Sequence, residues 1–404
     1  MRIKTGFNDG WYFHLGEIPA DGREETEWRQ VKLPHDWSIE YPLHEKQPSG
    51  GGGGFAETGI GWYRKTFTVP EEWADQKIEL QFDGVYMDSE ILLNGDRVGG
   101  WGYGYSPFSA DLTGKVKAGE NLLLVRVDNS RQPNSRWYSG SGIYRNVYLA
   151  VTGFLHIATE GIFAHVTRPS LREEPLADVP ADSAGLTIRT EIQNETDAFR
   201  NVTVCHILLD AEGQKVVTAG AALQLEPHAS GFCVAVPSVP NPVLWTVENP
   251  YLYTIHTVME EKGNVLDETD TRIGIRTAVF DSDRGFLLNG EQVKIKGMCL
   301  HHDCGLTGAV GYRETWFRRL KKLRDMGCNG IRCAHNPPSS EFLDLCDELG
   351  FLVMDEIFDE WLLTKDKRKN YYSQQTAYGS AQFFSAHWRD DLGRMLRRDR
   401  NHPS

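Results

Sequence analysis

Residues 329–356 read NGIRCAHNPPSSEFLDLCDELGFLVMDE, and this stretch decides the fold of the C-terminal third. Gly330 to Ala334 is short and apolar enough for a buried strand, and Phe351 to Met354 is a second such run. Between them, Ser340 to Leu349 has apolar residues at helical spacing and is followed by Gly350, a common helix stop. This order predicts a βαβ unit with two parallel strands.

The same alternation extends to both sides of this stretch. Upstream, Gln292 to Leu300 predicts a strand and Glu314 to Met326 predicts a helix. The apolar face of that helix is predicted to contain Trp316, Phe317, Leu320, Leu323 and Met326. Downstream, Gln382 to Arg397 predicts a third helix. Three such units imply a parallel sheet, either open or part of a (β/α)8 barrel. Because a whole barrel needs eight units in roughly 250 residues, these three units could form only part of one, and the open sheet remains the alternative.

Two β-rich regions precede these units. In residues 1–152, alternating apolar positions at Lys77 to Phe82 and Asn121 to Asp128, with the hairpin signal Asn94-Gly95, predict an antiparallel β-sandwich. In residues 153–278, the alternation resumes at Leu186 to Ile192 and continues over about seven short strands, which predicts an immunoglobulin-like β-sandwich. The predicted fold class is therefore multidomain, with β-sandwiches followed by an α/β region.

Composition excludes several classes of function. The 43 lysines and arginines against 56 aspartates and glutamates leave a net charge of −13, which disfavours a nucleic-acid partner. No apolar run reaches membrane length, so no membrane association is expected. Seven cysteines without a Cys-x-x-Cys pair, and an N-terminus without a signal-peptide core, favour a reduced, cytoplasmic protein.

Polar side chains follow each predicted strand of the βα units. Folds with parallel strands place their catalytic and binding residues at these carboxyl ends. They are His301, His302 and Asp303 after the first strand, Arg332 and His335 after the second, and Asp355, Glu356, Asp359, Glu360 and Trp361 after the third. A sugar-binding site needs charged groups that form hydrogen bonds with hydroxyl groups, and an aromatic ring that packs against the C–H face of the sugar. We therefore select His301, Arg332, His335, Asp355, Glu356 and Trp361 as candidate substrate-binding residues.

Structural alternatives exist for these residues. Arg332 and Asp355 could form a buried ion pair between neighbouring strands, and Trp361 could be a core residue. Adjacent residues of an extended segment point to opposite faces, so the run His301 to Cys304 does not favour a zinc site. From the residues alone, Glu356 with Asp303 would be a candidate pair of catalytic carboxylates.

Several stretches resemble signatures of one enzyme family along nearly the whole chain. They are residues 329–356 quoted above, Leu33 to Trp37, Gly61 to Arg64, Gly140 to Arg145, Gly285 to Gly290 and Arg398 to Ser404. These stretches resemble glycoside hydrolase family 2, with an overall pattern most similar to bacterial β-galactosidases and with β-glucuronidases and β-mannosidases as relatives. The resemblance implies a jelly-roll sugar-binding domain in residues 1–152, an immunoglobulin-like β-sandwich in 153–278 and an incomplete (β/α)8 TIM barrel in 279–404.

The resemblance also implies a mechanism. Family members cleave β-glycosidic bonds with retention through two glutamates about 5–5.5 Å apart. Both lie on later strands, so we expect the catalytic pair beyond Ser404 and this chain to be inactive alone. His301, Arg332 and His335 match substrate-contacting residues of the family. Glu360 matches a magnesium-binding glutamate of some β-galactosidases, but Leu362 replaces their histidine, so we predict neither a metal nor a cofactor.

The expected partner is a β-glycoside substrate, and self-association into a homo-oligomer is a further possibility that family relatives suggest. The alternative function, from another class, is a non-catalytic carbohydrate-binding protein.

Overall fold

The computed structural model describes residues 1–18, 27–167, 183–365, 367 and 378–404. Two antiparallel β-sandwiches are followed by a small antiparallel sheet and a parallel three-stranded sheet with helices, in the predicted order. We call these parts the first sandwich, the second sandwich and the βα region. The limits 1–152, 153–278 and 279–404 remain predictions.

Ten described strands build the first sandwich. They are β1 (Ile3–Gly6), β2 (Trp11–Leu15), β3 (Arg29–Val31), β4 (Gly59–Val69), β5 (Lys77–Phe82), β6 (Ser89–Leu93), β7 (Asp96–Gly99), β8 (Phe108–Asp111), β9 (Gly119–Asn129) and β10 (Val147–Thr152). One sheet has the order β1-β10-β5-β8 and the other β3-β2-β4-β9-β6-β7. Tyr63, Ile78 and Val125 lie fully buried in their shared core.

The predicted hairpin in the first sandwich is confirmed. β6 pairs with β7, and Asn94 and Gly95 at the turn have φ angles of 54° and 99°. Both residues need positive φ in a type I′ turn, which asparagine and glycine tolerate best.

Eight described strands build the second sandwich. They are β11 (Leu155–Thr167), β12 (Ser183–Asn194), β13 (Arg200–Leu209), β14 (Lys215–Leu225), β15 (Ala229–Ala235), β16 (Ser238–Pro240), β17 (Tyr253–Glu261) and β18 (Asn264–Ile273). One sheet has the order β11-β12-β15, with β16 also paired to β12, and the other β14-β13-β17-β18. Ile192, Val204 and Ile255 are fully buried between them.

The βα region contains the predicted units. Its elements are β19 (Ala278–Asp281), β20 (Gly285–Leu288), β21 (Glu291–Gln292), β22 (Gly297–Leu300), α1 (Arg313–Asp325), β23 (Gly330–Cys333), α2 (Ser340–Leu349), β24 (Leu352–Met354) and α3 (Ala381–Asp399). β19 to β21 form the small antiparallel sheet, and β22, β23 and β24 pair in parallel. α2 begins after Ser339, whose Oγ accepts from the Phe342 N–H, and ends at Gly350 with φ 73°.

Two predictions for the βα region are wrong in detail. The predicted strand Gln292 to Leu300 is two strands, because β21 pairs with β20 whereas β22 pairs with β23 of a different sheet. The buried face of α1 is also narrower than predicted. Trp316 and Leu320 are buried, but Phe317 and Met326 are 45% and 73% exposed. None of the three described helices has the length and apolar character needed to cross a membrane.

The first sandwich packs against the loops that follow the parallel strands. Asp36 is the centre of this contact. Its carboxylate accepts from Tyr138 Oη at 2.6 Å, from the backbone N–H of Ala309 at 2.8 Å and from those of Ser141 and Ser38 at 2.9 and 3.0 Å. Burial raises the pKa of Asp36, and these bonds act against that rise. Because Ala309 lies in the loop after β22, Asp36 fixes that loop to the first sandwich.

Candidate functional site

The carboxyl ends of β22, β23 and β24 bring four of the predicted residues together. Arg332 donates from Nε and Nη2 to the two oxygens of Glu356, at 2.6 and 3.1 Å. Glu356 also accepts from the His335 backbone N–H at 2.7 Å. His335 has a φ of 79°, which is unusual for a residue with a side chain. Glu356 thus holds both Arg332 and the strained turn that carries the His335 imidazole.

The register of the sheet explains why Arg332 pairs with Glu356 and not with Asp355. Arg332 lies opposite Met354 in the parallel ladder. Because side chains alternate along an extended chain, Glu356 points to the face of Met354 and Asp355 to the opposite face. The alternative of an Arg332–Asp355 ion pair is therefore not what the structure contains.

Trp137 of the first sandwich enters the same site. Its ring centroid lies 5.4 Å from that of His301 and 4.9 Å from that of His335, and the two imidazoles are 5.3 Å apart. Trp137 Nε1 donates to Tyr105 Oη at 3.0 Å, which fixes the indole. An indole and two imidazoles form a half-buried aromatic wall suited to the apolar face of a sugar.

A second group of charges borders this wall. Arg136 donates from Nη2 and Nε to the two oxygens of Asp359, at 2.5 and 3.3 Å, and Lys365 donates to Asp359 at 2.7 Å. Burial acts to raise the pKa of Asp359, but Lys365 and Arg136 together bring it below its ordinary value. His335 Nδ1 lies 3.8 Å from the same carboxylate. Asp359 is therefore ionised at neutral pH.

The two imidazoles of the aromatic wall are neutral at neutral pH. Burial lowers the pKa of His301 and that of His335, more than neighbouring Asp303 and Asp359 raise them. A neutral imidazole has one N–H donor and one acceptor nitrogen, so each ring can exchange hydrogen bonds with a hydroxyl group in either direction.

The other predicted residues lie elsewhere. Trp361 is 67% exposed and is in no ring contact with the aromatic wall. Asp355 faces Asp399 and Arg398 of α3. His302 is buried and donates from Nε2 to the Ser139 carbonyl at 3.0 Å, so it supports the docking of the first sandwich. The candidate residues selected from the sequence do not include Trp137 and Arg136, which stand just before the Gly140 to Arg145 motif.

Asp355 predicts a pH dependence of stability. Burial and the charge of Asp399 raise the pKa of Asp355 from 3.8 to about 8. A carboxyl group whose pKa is raised by folding stabilises the native state below its unfolded pKa, and this contribution is lost as pH rises towards 8. We expect Asp355→Asn to be more stable than the wild type at pH 9, by at least about 1 kcal/mol, and to lose less stability between pH 5 and 9. Urea unfolding of both proteins at several pH values measures this, and parallel pH profiles would contradict it.

The contacts of Glu356 predict that replacing Glu356 destabilises the protein more than replacing its partner Arg332. Arg332→Met removes one partner of the ion pair, whereas Glu356→Gln weakens the bonds to Arg332 and to the His335 N–H. Because the side chain of Arg332 is 39% exposed, we expect a coupling energy of about 1 kcal/mol between the two residues. Glu356→Gln should lower the free energy of unfolding more than Arg332→Met does. Unfolding of the two single variants and the double variant tests this. Additive effects of equal size would refute the account of this pair.

Two β-sandwiches followed by parallel βα units, with a polar, tryptophan-lined site at the strand ends, are the architecture of a multidomain carbohydrate-active protein. Three family models match successive parts of the chain: the sugar-binding domain of glycosyl hydrolases family 2 at residues 8–153, a second family 2 domain at 164–276, and its TIM-barrel domain at 279–404. The chain belongs to glycosyl hydrolase family 2.

Relatives of this chain include proteins named as β-galactosidases and proteins named as β-glucuronidases. A β-galactosidase of Bacteroides ovatus, BoGH2A, is 45% identical over the whole chain, which covers 46% of that protein. A putative β-glucuronidase of Formosa agariphila is 37% identical, again over the whole chain and 37% of the relative. A family 2 structure from Bacteroides cellulosilyticus superposes with a TM-score of 0.90 at 37% identity, over 99% of this chain and 50% of the other. The chain thus spans about half the length of these relatives or less.

Proposed function

We propose that this chain provides the sugar-holding face of a retaining β-glycosidase that acts on terminal β-galactosides. The observation that carries the proposal is the aromatic wall of Trp137, His301 and His335 at the ends of the parallel strands. The apolar C–H face of a pyranose would stack on this wall, and its hydroxyl groups would bond the neutral imidazoles. Arg332 and Glu356 would support the His335 side of the site.

The carboxylates of the site fit a holding role better than a catalytic one. A retaining glycosidase needs a general acid with a raised pKa and a free nucleophilic carboxylate. Glu356 is occupied by Arg332 and the His335 N–H, and the pKa of Asp359 is lowered by its cations. We therefore propose that the acid/base and nucleophile glutamates belong to barrel strands of the whole protein outside residues 1–404. The alternative pair of Glu356 and Asp303 is not supported, because Glu356 is already engaged.

The choice of a galactoside rests on the 45% identity to the Bacteroides ovatus β-galactosidase. A β-glucuronide is the second candidate, because Arg136 and Lys365 bring two cationic groups to the rim beside His335. Their attraction for a sugar carboxylate would add to hydroxyl binding. The putative β-glucuronidase of Formosa agariphila is consistent with this second candidate.

A ligand panel tests the proposal and separates the two sugars. The 404-residue protein is titrated calorimetrically with methyl β-galactoside, methyl β-glucuronide and methyl β-mannoside, and hydrolysis of the corresponding nitrophenyl glycosides is followed in parallel. We expect saturable binding of the galactoside without turnover at enzymatic rates. Preferred binding of the glucuronide would assign the second candidate. Binding of none of the three would refute the proposed site.

A further inference from the structure

Glu360 lies beside the candidate site and is an unusually buried carboxylate. It follows Asp359 directly and is 3% exposed. Its Oε1 accepts from Lys367 Nζ at 2.5 Å and from the Lys365 backbone N–H at 3.0 Å. A carboxylate removed from water in this way needs a cation close by, because an unpaired buried charge is strongly destabilising.

Lys367 provides that cation from an equally buried position. The side chains of Lys367 and Glu360 are each 1% exposed. Lys367 Nζ also donates to the Tyr378 carbonyl at 2.8 Å. The ammonium group therefore joins the residues just after β24 to those just before α3.

Gly379 closes the space around this pair. Its φ is 149°, and a Cβ at this position would lie 2.2 Å from Glu360 Oε2 and 2.8 Å from Lys367 Nζ. Only a residue without a side chain lets the backbone approach the two charged groups so closely. The ion pair is thus enclosed by the backbone on this side.

The residues around Glu360 do not fit a magnesium site like that of the β-galactosidases whose magnesium-binding glutamate Glu360 matches. Magnesium prefers six oxygen ligands in octahedral geometry and keeps several waters. Here an ammonium group lies against Oε1, and Oε2 has no hydrogen-bond partner in the described part of the chain and faces the Gly379 backbone. Two residues on, Leu362 offers no ligand atom and is 73% exposed. A divalent ion at Glu360 would be repelled by the ammonium group, and Leu362 of the described residues would not ligate it.

We propose that Lys367 is the resident cation of this part of the site and takes the place of a metal ion against Glu360. The protein then needs no divalent metal to fix the residues after β24. Because Glu360 adjoins Asp359, which faces Arg136 and His335, Lys367 acts as a positioning residue for the charged rim of the site. This inference does not depend on which sugar is bound.

Thermal unfolding of the 404-residue protein tests the proposal without an activity measurement. The wild type is compared in EDTA and in 10 mM MgCl2, and no saturable rise of the midpoint is expected. Lys367→Ala leaves the Glu360 carboxylate buried without its cation, so its midpoint should fall by roughly 5 °C or more.

Two further variants test the pairing of Glu360 with Lys367 even if Lys367→Ala does not fold. Glu360→Gln alone leaves Lys367 unpaired and should be strongly destabilised, whereas the double variant Glu360→Gln/Lys367→Met removes both charges and should recover most of the midpoint. Lys321→Ala, which breaks the exposed Lys321–Asp325 pair, is the matched control and should shift the midpoint by less than about 1 °C. The proposal is overturned by magnesium binding to the wild type that Glu360→Gln abolishes, or by a double variant no more stable than Glu360→Gln.

Discussion

Trp137→Ala is expected to weaken sugar binding by about tenfold or more, because it removes the largest ring of the aromatic wall. The indole contacts both imidazoles and is fixed by Tyr105, so its loss removes the stacking surface and also frees the rings of His301 and His335. Calorimetric titration of the 404-residue protein with the sugar that binds best gives the change in Kd.

The matched control for this prediction is Trp361→Ala. Trp361 was selected from the sequence for the same platform role, but its side chain is 67% exposed and makes no ring contact with the wall. We expect its loss to leave the Kd within about twofold of the wild type. If Trp361→Ala weakens binding more than Trp137→Ala does, the assignment of the platform to the first sandwich is wrong.

Asp36→Ala is expected to reduce stability by about 3 kcal/mol, because it leaves several buried donors without an acceptor. The donors are the Tyr138 hydroxyl and three backbone N–H groups, including that of Ala309 in the loop after β22. The loop that follows His301 and His302 then loses its attachment to the first sandwich. Calorimetry should show a lower midpoint and a first sandwich that unfolds separately from the βα region.

Two variants accompany the Asp36 measurement. Asp36→Asn keeps the shape of the side chain but turns an N–H group towards some of these donors, so it should also be destabilising. Asp197→Ala removes a fully exposed carboxylate that pairs with His228 and should leave the stability unchanged within experimental error. Equal stability of Asp36→Ala and the wild type would contradict the role of Asp36 in docking.

The elements predicted correctly from the sequence are those whose limits are set by residues within or next to the element. α2 has its start at Ser339 and its stop at Gly350, and both signals are independent of the rest of the molecule. The Asn94-Gly95 hairpin is equally local. The predicted strand Gln292 to Leu300 was wrong because its two ends belong to different sheets, and pairing partners cannot be seen from alternation alone.

The residues selected from the sequence that meet in the site are those that follow one sheet, whereas Trp137 of the first sandwich was not among the selected residues. His301, Arg332, His335 and Glu356 follow adjacent parallel strands, so their meeting follows from the topology. The choice of Glu356 over Asp355 as the partner of Arg332 required the register of β23 and β24. Trp137 and His335 are separated by almost 200 residues in the sequence, and the docking of the first sandwich onto the βα region brings their rings together.

The response of individual histidines to a β-glycoside shows directly whether the ends of the parallel strands hold the sugar. The imidazole resonances of the 404-residue protein are followed by NMR during titration with methyl β-galactoside, or with the sugar preferred in the panel. We expect saturable shifts for His301 and His335 and none for His228 and His256, which lie on the second sandwich. Unchanged resonances of His301 and His335 at saturating sugar would contradict the claim that these strand ends hold the substrate.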